Sequence, residues 1–169
     1  HHRLPPEKIT VAHLCADEQF YRAAEIARRP AAALPERYIF YPANRWLHKN
    51  HDLLLRAMAF LRDRDNMAVH AVFTGFDQKN GYAIEEKAKE YGVGDLVTQL
   101  GYVSVEEMAY LYGHAELMVF PSLFEGFGIP LVEAMAAGCP VLAASTTSLP
   151  EVGADGVAYF APSSPETLA

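Results

Sequence analysis

From Tyr38 onward the chain alternates short, continuous apolar runs with stretches whose apolar residues recur at helical spacing. YIFYPA (38–43), MAVHAVFTG (67–75), DLVTQLG (95–101), ELMVFP (116–121), PVLAA (140–144) and GVAYFAP (156–162) read as six strands. After the first, Leu54, Ala57, Met58 and Leu61 fall on one helical face, with Asn50 as the expected cap. A charged helix around 80–91 turns Ile84, Ala88 and Tyr91 inward. Ser104 and Glu107 make a capping box for a helix reaching about Gly113. Pro130 suits the first turn of the helix after strand four, and Gly138 its end. Apolar strands alternating with helices predict an α/β domain built on a doubly wound, Rossmann-like parallel sheet covered on both faces.

Such a sheet binds ligands beyond the carboxyl ends of its strands. ANRWLHKNH, TGFD, GYVS and SLFEGFG all leave that rim, after strands one to four, and converge on one cleft. The boundaries expected are a segment 1–37 leading into the domain and the sheet domain itself, 38–169. Within the first segment, PPEKITVAHLC is a candidate for a further strand, and His1 and His2 are read as a tag remnant. PETLA (165–169) reads as the first turn of a helix, and no second comparable domain follows, so a piece of a longer protein is expected.

Composition narrows the partner. With 169 residues, 51% hydrophobic and 21% charged, the chain can bury a proper core. No apolar run reaches the ~18 residues of a membrane span, and HHRLPPEKIT carries no leader-like apolar segment. The two cysteines, Cys15 and Cys139, lie far apart, which favours a reducing cytoplasm over a disulfide framework or zinc site. A net charge of -7 argues against nucleic acid. A phosphate ligand then needs a local site that overrules the global field.

SLFEGFGIPLVEAM (122–135) is the candidate for that site. Gly126 and Gly128 clear the backbone where strand four turns into a helix, letting an anion approach free N–H groups; two glycines alone are better explained as a plain strand–helix turn. A helix N-terminus offers only about half a positive charge, so a diphosphate needs cations as well. Arg45, His48, Lys49 and His51 are the basic cluster placed to supply them. HKNH also has the spacing of a metal pair, but no third ligand is evident. Glu125 and Glu133, about two helical turns apart, cannot share one hydroxyl. Two polyol groups flanking a diphosphate would explain the spacing, and a nucleotide sugar has that layout. An exposed helical Glu is otherwise a solvated surface residue.

SLFEGFGIPLVEAMAAGCPVLAA resembles the signature of family-four (group 1) retaining glycosyltransferases of the GT-B fold: Glu, seven residues, Glu, with a Gly-rich turn after the first. The resemblance runs from about Lys8 to the end, through PEKITVAHLCAD, GYVSVEEMAYLYGHAEL and TTSLPEVGADGVAYFAP, and implies the C-terminal half of such an enzyme. It implies that Glu125 contacts hydroxyls of the donor sugar and Glu133 the ribose, with backbone of Gly126, Phe127, Gly128 and Ile129 facing sugar and phosphates. Lys49 matches the family's diphosphate lysine. Gly101, Tyr102 and Val103 would lie against the nucleobase, and Gly75 would line the cleft floor. The family's arginine position holds Asn44, with Arg45 one step later; either Arg45 substitutes through a small loop shift or Lys49 carries more of the charge. The usual Asn-Gly pair near the start reads Leu14-Cys15.

The resemblance therefore implies retaining hexosyl transfer from a nucleoside-diphosphate sugar, without metal or other cofactor. YPANRWLHKNH points to a mannose branch and GDP-mannose. The acceptor, a glycan or lipid-linked molecule, would be held by the N-terminal domain. Peripheral membrane contact would involve the longer protein. The alternatives are a related GT-B enzyme (nucleotide-sugar epimerase, or glucan- or sucrose-synthase-like) and a non-catalytic nucleotide-sugar-binding module.

Overall fold

The computed structural model describes residues 5–76 and 81–169. The expectations for His1, His2, Asp77 and the first residue of the 80–91 helix fall outside the described residues. Two short helices, α1 (Glu18–Tyr21) and α2 (Ala23–Ile26), precede the sheet. Strands β1 (Ile39–Pro42), β2 (Ala71–Thr74) and β3 (Val97–Gln99) are separated by α3 (His51–Asp65) and α4 (Ile84–Glu90). Helix α5 (Val105–His114) leads to β4 (Leu117–Phe120), and α6 (Ile129–Ala136) to β5 (Val141–Ala144). The chain closes with α7 (Leu149–Gly153), β6 (Ala158–Phe160) and α8 (Pro165–Leu168).

All six strands pair in parallel, in the order β3-β2-β1-β4-β5-β6. Ile39 is paired with Ala71 on one side and Leu117 on the other, so β1 and β4 are neighbours although three helices separate them in sequence. That step is the sheet's topological switch point, where crossovers leave to opposite faces and a crevice opens. The strands are shorter than the apolar runs, most clearly in 67–75, where only Ala71–Thr74 pairs.

The core explains why these runs are continuous. Phe40, Tyr41, Val72, Phe73, Met118 and Phe120 are buried in the central strands, under Leu55 and Met58 of α3 and Leu111 and Tyr112 of α5. Leu54, Ala57 and Met58 are buried as their spacing predicts, and Leu61 is partly so. Ser104 accepts from Glu107 N–H while the Glu107 carboxylate accepts from Ser104 N–H, so the capping box forms.

Two local readings are corrected. Asn50 stands at the start of α3 in the left-handed region (φ 58) and does not cap it; its amide donates instead to Pro121 O at 3.1 Å. Residues 9–15 form no strand, because Ile9, Val11 and Leu14 are exposed and make no ladder. What anchors this end is Phe20, buried edge-on against Tyr112 at 5.7 Å. Among the described residues no helix is long and apolar enough to cross a membrane.

Candidate functional site

At the switch point the loops after β1 and β4 are tied into one unit. Leu123 N–H donates to His48 O at 2.8 Å, and Asn50 adds its bond to Pro121. Between them the buried Tyr41 hydroxyl donates to Lys49 O (2.7 Å) and shares a hydrogen bond with buried Ser122 (3.1 Å). The loop after β5 grips from the far side: Glu125 N–H donates to Thr147 Oγ1, Ser148 Oγ to Glu125 O, and Thr146 Oγ1 to Ser122 O.

This scaffold brings Lys49 and Glu125, 76 positions apart, together at 2.6 Å between Nζ and Oε1. Their side chains are only 17% and 11% exposed, so the pair is largely withdrawn from water. Beside it runs a cavity of about 320 Å³ lined by Asn44, Lys49, Gly75, Tyr102, Val103 and Glu133, among others. With Gly101, seven residues expected at the rim thus share one hollow. Glu133, in its lining, accepts from the Tyr112 hydroxyl at 3.1 Å. Burial raises the Glu133 carboxyl above the usual range, and the Tyr112 bond only partly offsets this. A further hydroxyl donor from a ligand would stabilise its charged form.

The glycines divide into two kinds. Gly128 opens α6 at φ 92, and a Cβ there would lie 2.6 Å from Leu149 Cδ2, so packing already demands glycine. Gly126 is exposed, and a Cβ would meet nothing within 4 Å. It is Gly126, therefore, that leaves room for a ligand. Among the described residues the N–H groups of 126–128 have no protein acceptor. Phe127 is half-buried and Ile129 exposed beside them.

The basic cluster is smaller than the sequence predicts. His51 is buried between Tyr41, Phe73 and Tyr82, and burial pushes its pKa down to about 4, so at neutral pH it carries no charge. Neither ring nitrogen has a hydrogen bond of good geometry among the described residues, although the nearby Ala43 carbonyl offsets part of the burial. His48 is exposed, so the two histidines of HKNH occupy different environments. Arg45 bonds to both Glu85 oxygens at 2.9 Å and to Gln99 Oε1 at 2.6 Å, on the β3 side of the cleft. Lys49 is left as the cation facing Glu125.

Asn44 has a role that sequence reasoning missed: its side chain accepts from Phe76 N–H at 2.8 Å and fixes the turn after β2. Phe76 then stacks on Tyr102, centroids 5.4 Å apart, and both rings are exposed at the cavity mouth. The apolar character of Phe76 in an otherwise turn-like TGFD was the only signal for this pair. Gly75, at φ 120, packs so closely that a Cβ would meet Ala43 O at 2.6 Å.

A family model described as glycosyl transferases group 1 matches residues 23–169. The chain belongs to that family. It is 32% identical over 164 residues to O-antigen chain mannosyltransferase B of Escherichia coli, covering 89% of this chain and 41% of that protein. It is 41% identical over 104 residues to the MMP alpha-(1->4)-mannosyltransferase of Mycolicibacterium hassiacum, covering 61% of this chain and 25% of that one. In fold it matches a glycosyltransferase of Rickettsia africae with a TM-score of 0.82 at 18% identity, over 99% of this chain and 46% of that one. The sheet is the Rossmann-like domain of a GT-B glycosyltransferase, and the chain spans less than half the length of these relatives.

Proposed function

We propose that this glycosyltransferase domain holds the donor, a nucleoside-diphosphate hexose, for transfer to an acceptor hydroxyl with the anomeric configuration retained. The observation that carries the reading is the Lys49–Glu125 pair, fixed at the switch point beside a cavity that Glu133 also lines. Lys49 and the N–H groups opening α6 would take the diphosphate, Glu125 the hexose hydroxyls, Glu133 the ribose, and Tyr102 with Phe76 the base. The C1–O bond to the phosphate breaks as the acceptor oxygen bonds to C1 on the same face, the acceptor proton passes to the departing phosphate oxygen, and the departing charge settles on groups already aimed at it. The reading calls on no metal or other cofactor, and Lys49, rather than Arg45, carries the cationic part.

Mannose and GDP-mannose are favoured because the two relatives described above are named mannosyltransferases. The acceptor, a glycan or lipid-linked hydroxyl, would be bound by parts of the longer protein outside this chain. The test is transfer by the longer protein from GDP-mannose and UDP-glucose to simple glycosides, with the product anomer read by NMR. Retained transfer from either donor, abolished in Lys49→Ala, is expected; donor binding without any transfer would favour a binding module, which the engagement of Arg45 by Glu85 also allows.

A further inference from the structure

We infer that Glu125 makes the site discriminate between the loaded donor and the spent nucleotide, by competing with the diphosphate for Lys49. This rests on the donor-binding reading above. Lys49 and Glu125 lie 2.6 Å apart with little of either side chain in water. On this inference a diphosphate draws the Lys49 ammonium out of the pair, since one Lys49 donor is already spent on Glu125. The backbone beneath is pinned by Tyr41, Asn50 and Leu123 on one side and by Thr147 and Ser148 on the other. Parting them is therefore a matter of side-chain rotation, not loop movement.

The consequence differs for the two ligands. A bare nucleoside diphosphate takes Lys49 and leaves Glu125 a nearly buried carboxylate with no donor, facing the added negative charge. An uncompensated charge of this kind is costly. A hexose on the same diphosphate brings hydroxyl donors to the position Lys49 vacates, so Glu125 exchanges one partner for another. The pair thus penalises product and spares donor, which speeds release of the nucleotide after transfer. Arg37–Glu116, at 3.0 Å but with side chains 79% and 51% exposed, is an ion pair whose parting leaves both groups to water.

The test is calorimetric titration of the 169-residue chain with GDP and GDP-mannose, and with UDP and UDP-glucose. Glu125→Gln should bind the bare diphosphate about three- to tenfold more tightly, the scale of one weak ion pair, and the sugar nucleotide more weakly. In a Lys49→Ala background the same substitution should give no gain. Glu125→Ala, read in the same titrations, decides the matter where Glu125→Gln fails to fold. Unchanged or weaker diphosphate binding in these variants, or a gain of equal size without Lys49, overturns the inference alone. Failure of the unsubstituted chain to bind any of the four nucleotides overturns the donor-binding reading and the inference with it.

Discussion

The two ends of the sheet each carry a hollow and an ion pair, and they are not alike. At the amino ends of the strands a cavity of about 630 Å³ opens between Pro35, Arg37, Met67, His70 and Glu116, roughly twice the volume of the one at the carboxyl rim, about 320 Å³. Yet the Arg37–Glu116 pair beside it stands in water, whereas Lys49–Glu125 is nearly buried and held by five backbone-directed bonds. On the function proposed above, the smaller hollow is the site, and what marks it is charge that converges on one point on a scaffold that prevents it from relaxing.

The largest effect that would sharpen this contrast is on folding. The rim depends on close backbone approach at Gly75, so Gly75→Ala should cost about 2–4 kcal/mol in chemical denaturation, through both its positive φ and the Ala43 contact. A loss below about 1 kcal/mol would mean the rim backbone is looser than its contacts require.

The layer beneath the rim gives the next test. An unfolded His51 takes up a proton near pH 6.5, but the folded one stays neutral until about pH 4. Between those values the unfolded chain binds the extra proton, so stability falls as the pH falls, by up to about 1.4 kcal/mol per pH unit. His51→Phe should flatten that part of the profile. An unaltered slope would show that other groups set it.

A smaller effect separates the two hollows by ligand. Tyr102→Ala should weaken GDP binding by about 1 kcal/mol through lost stacking, while Met67→Ala, at the other cavity, should leave it unchanged. Equal losses would break the comparison. Smallest of all, Arg37→Ala should change stability by less than about 1 kcal/mol, as an exposed pair does; a larger loss by thermal unfolding would give the lower end an importance its exposure denies.

Much of this was legible in the sequence, for physical reasons. Apolar runs buried on both faces mark parallel strands, and the capping box at Ser104 is a local device complete within four residues. Glu125 and Glu133 stood out because glycines and spacing accompany them, whereas Lys49, one of a basic cluster of four, was singled out by the resemblance to the glycosyltransferase family. What could not be read is pairing across the fold. Nothing near Asn50 in sequence shows that its amide serves Pro121, nor that Arg45 meets Glu85 and Gln99. His51 resembles His48 until the aromatic stack closes over it. The 9–15 segment has strand-like residues but finds no edge, and propensity without a partner is a weak guide.

The central claim is that the rim binds a nucleoside diphosphate chiefly through Lys49 and Glu133. Calorimetric titration of the chain with GDP, alongside Lys49→Ala and Glu133→Ala, tests it most directly. The account predicts binding by the unsubstituted chain and a loss of ~1.5–3 kcal/mol in Lys49→Ala, the range for a hydrogen bond to a charged group, with a clear further loss site at Glu133. Affinity unchanged in both variants would contradict it.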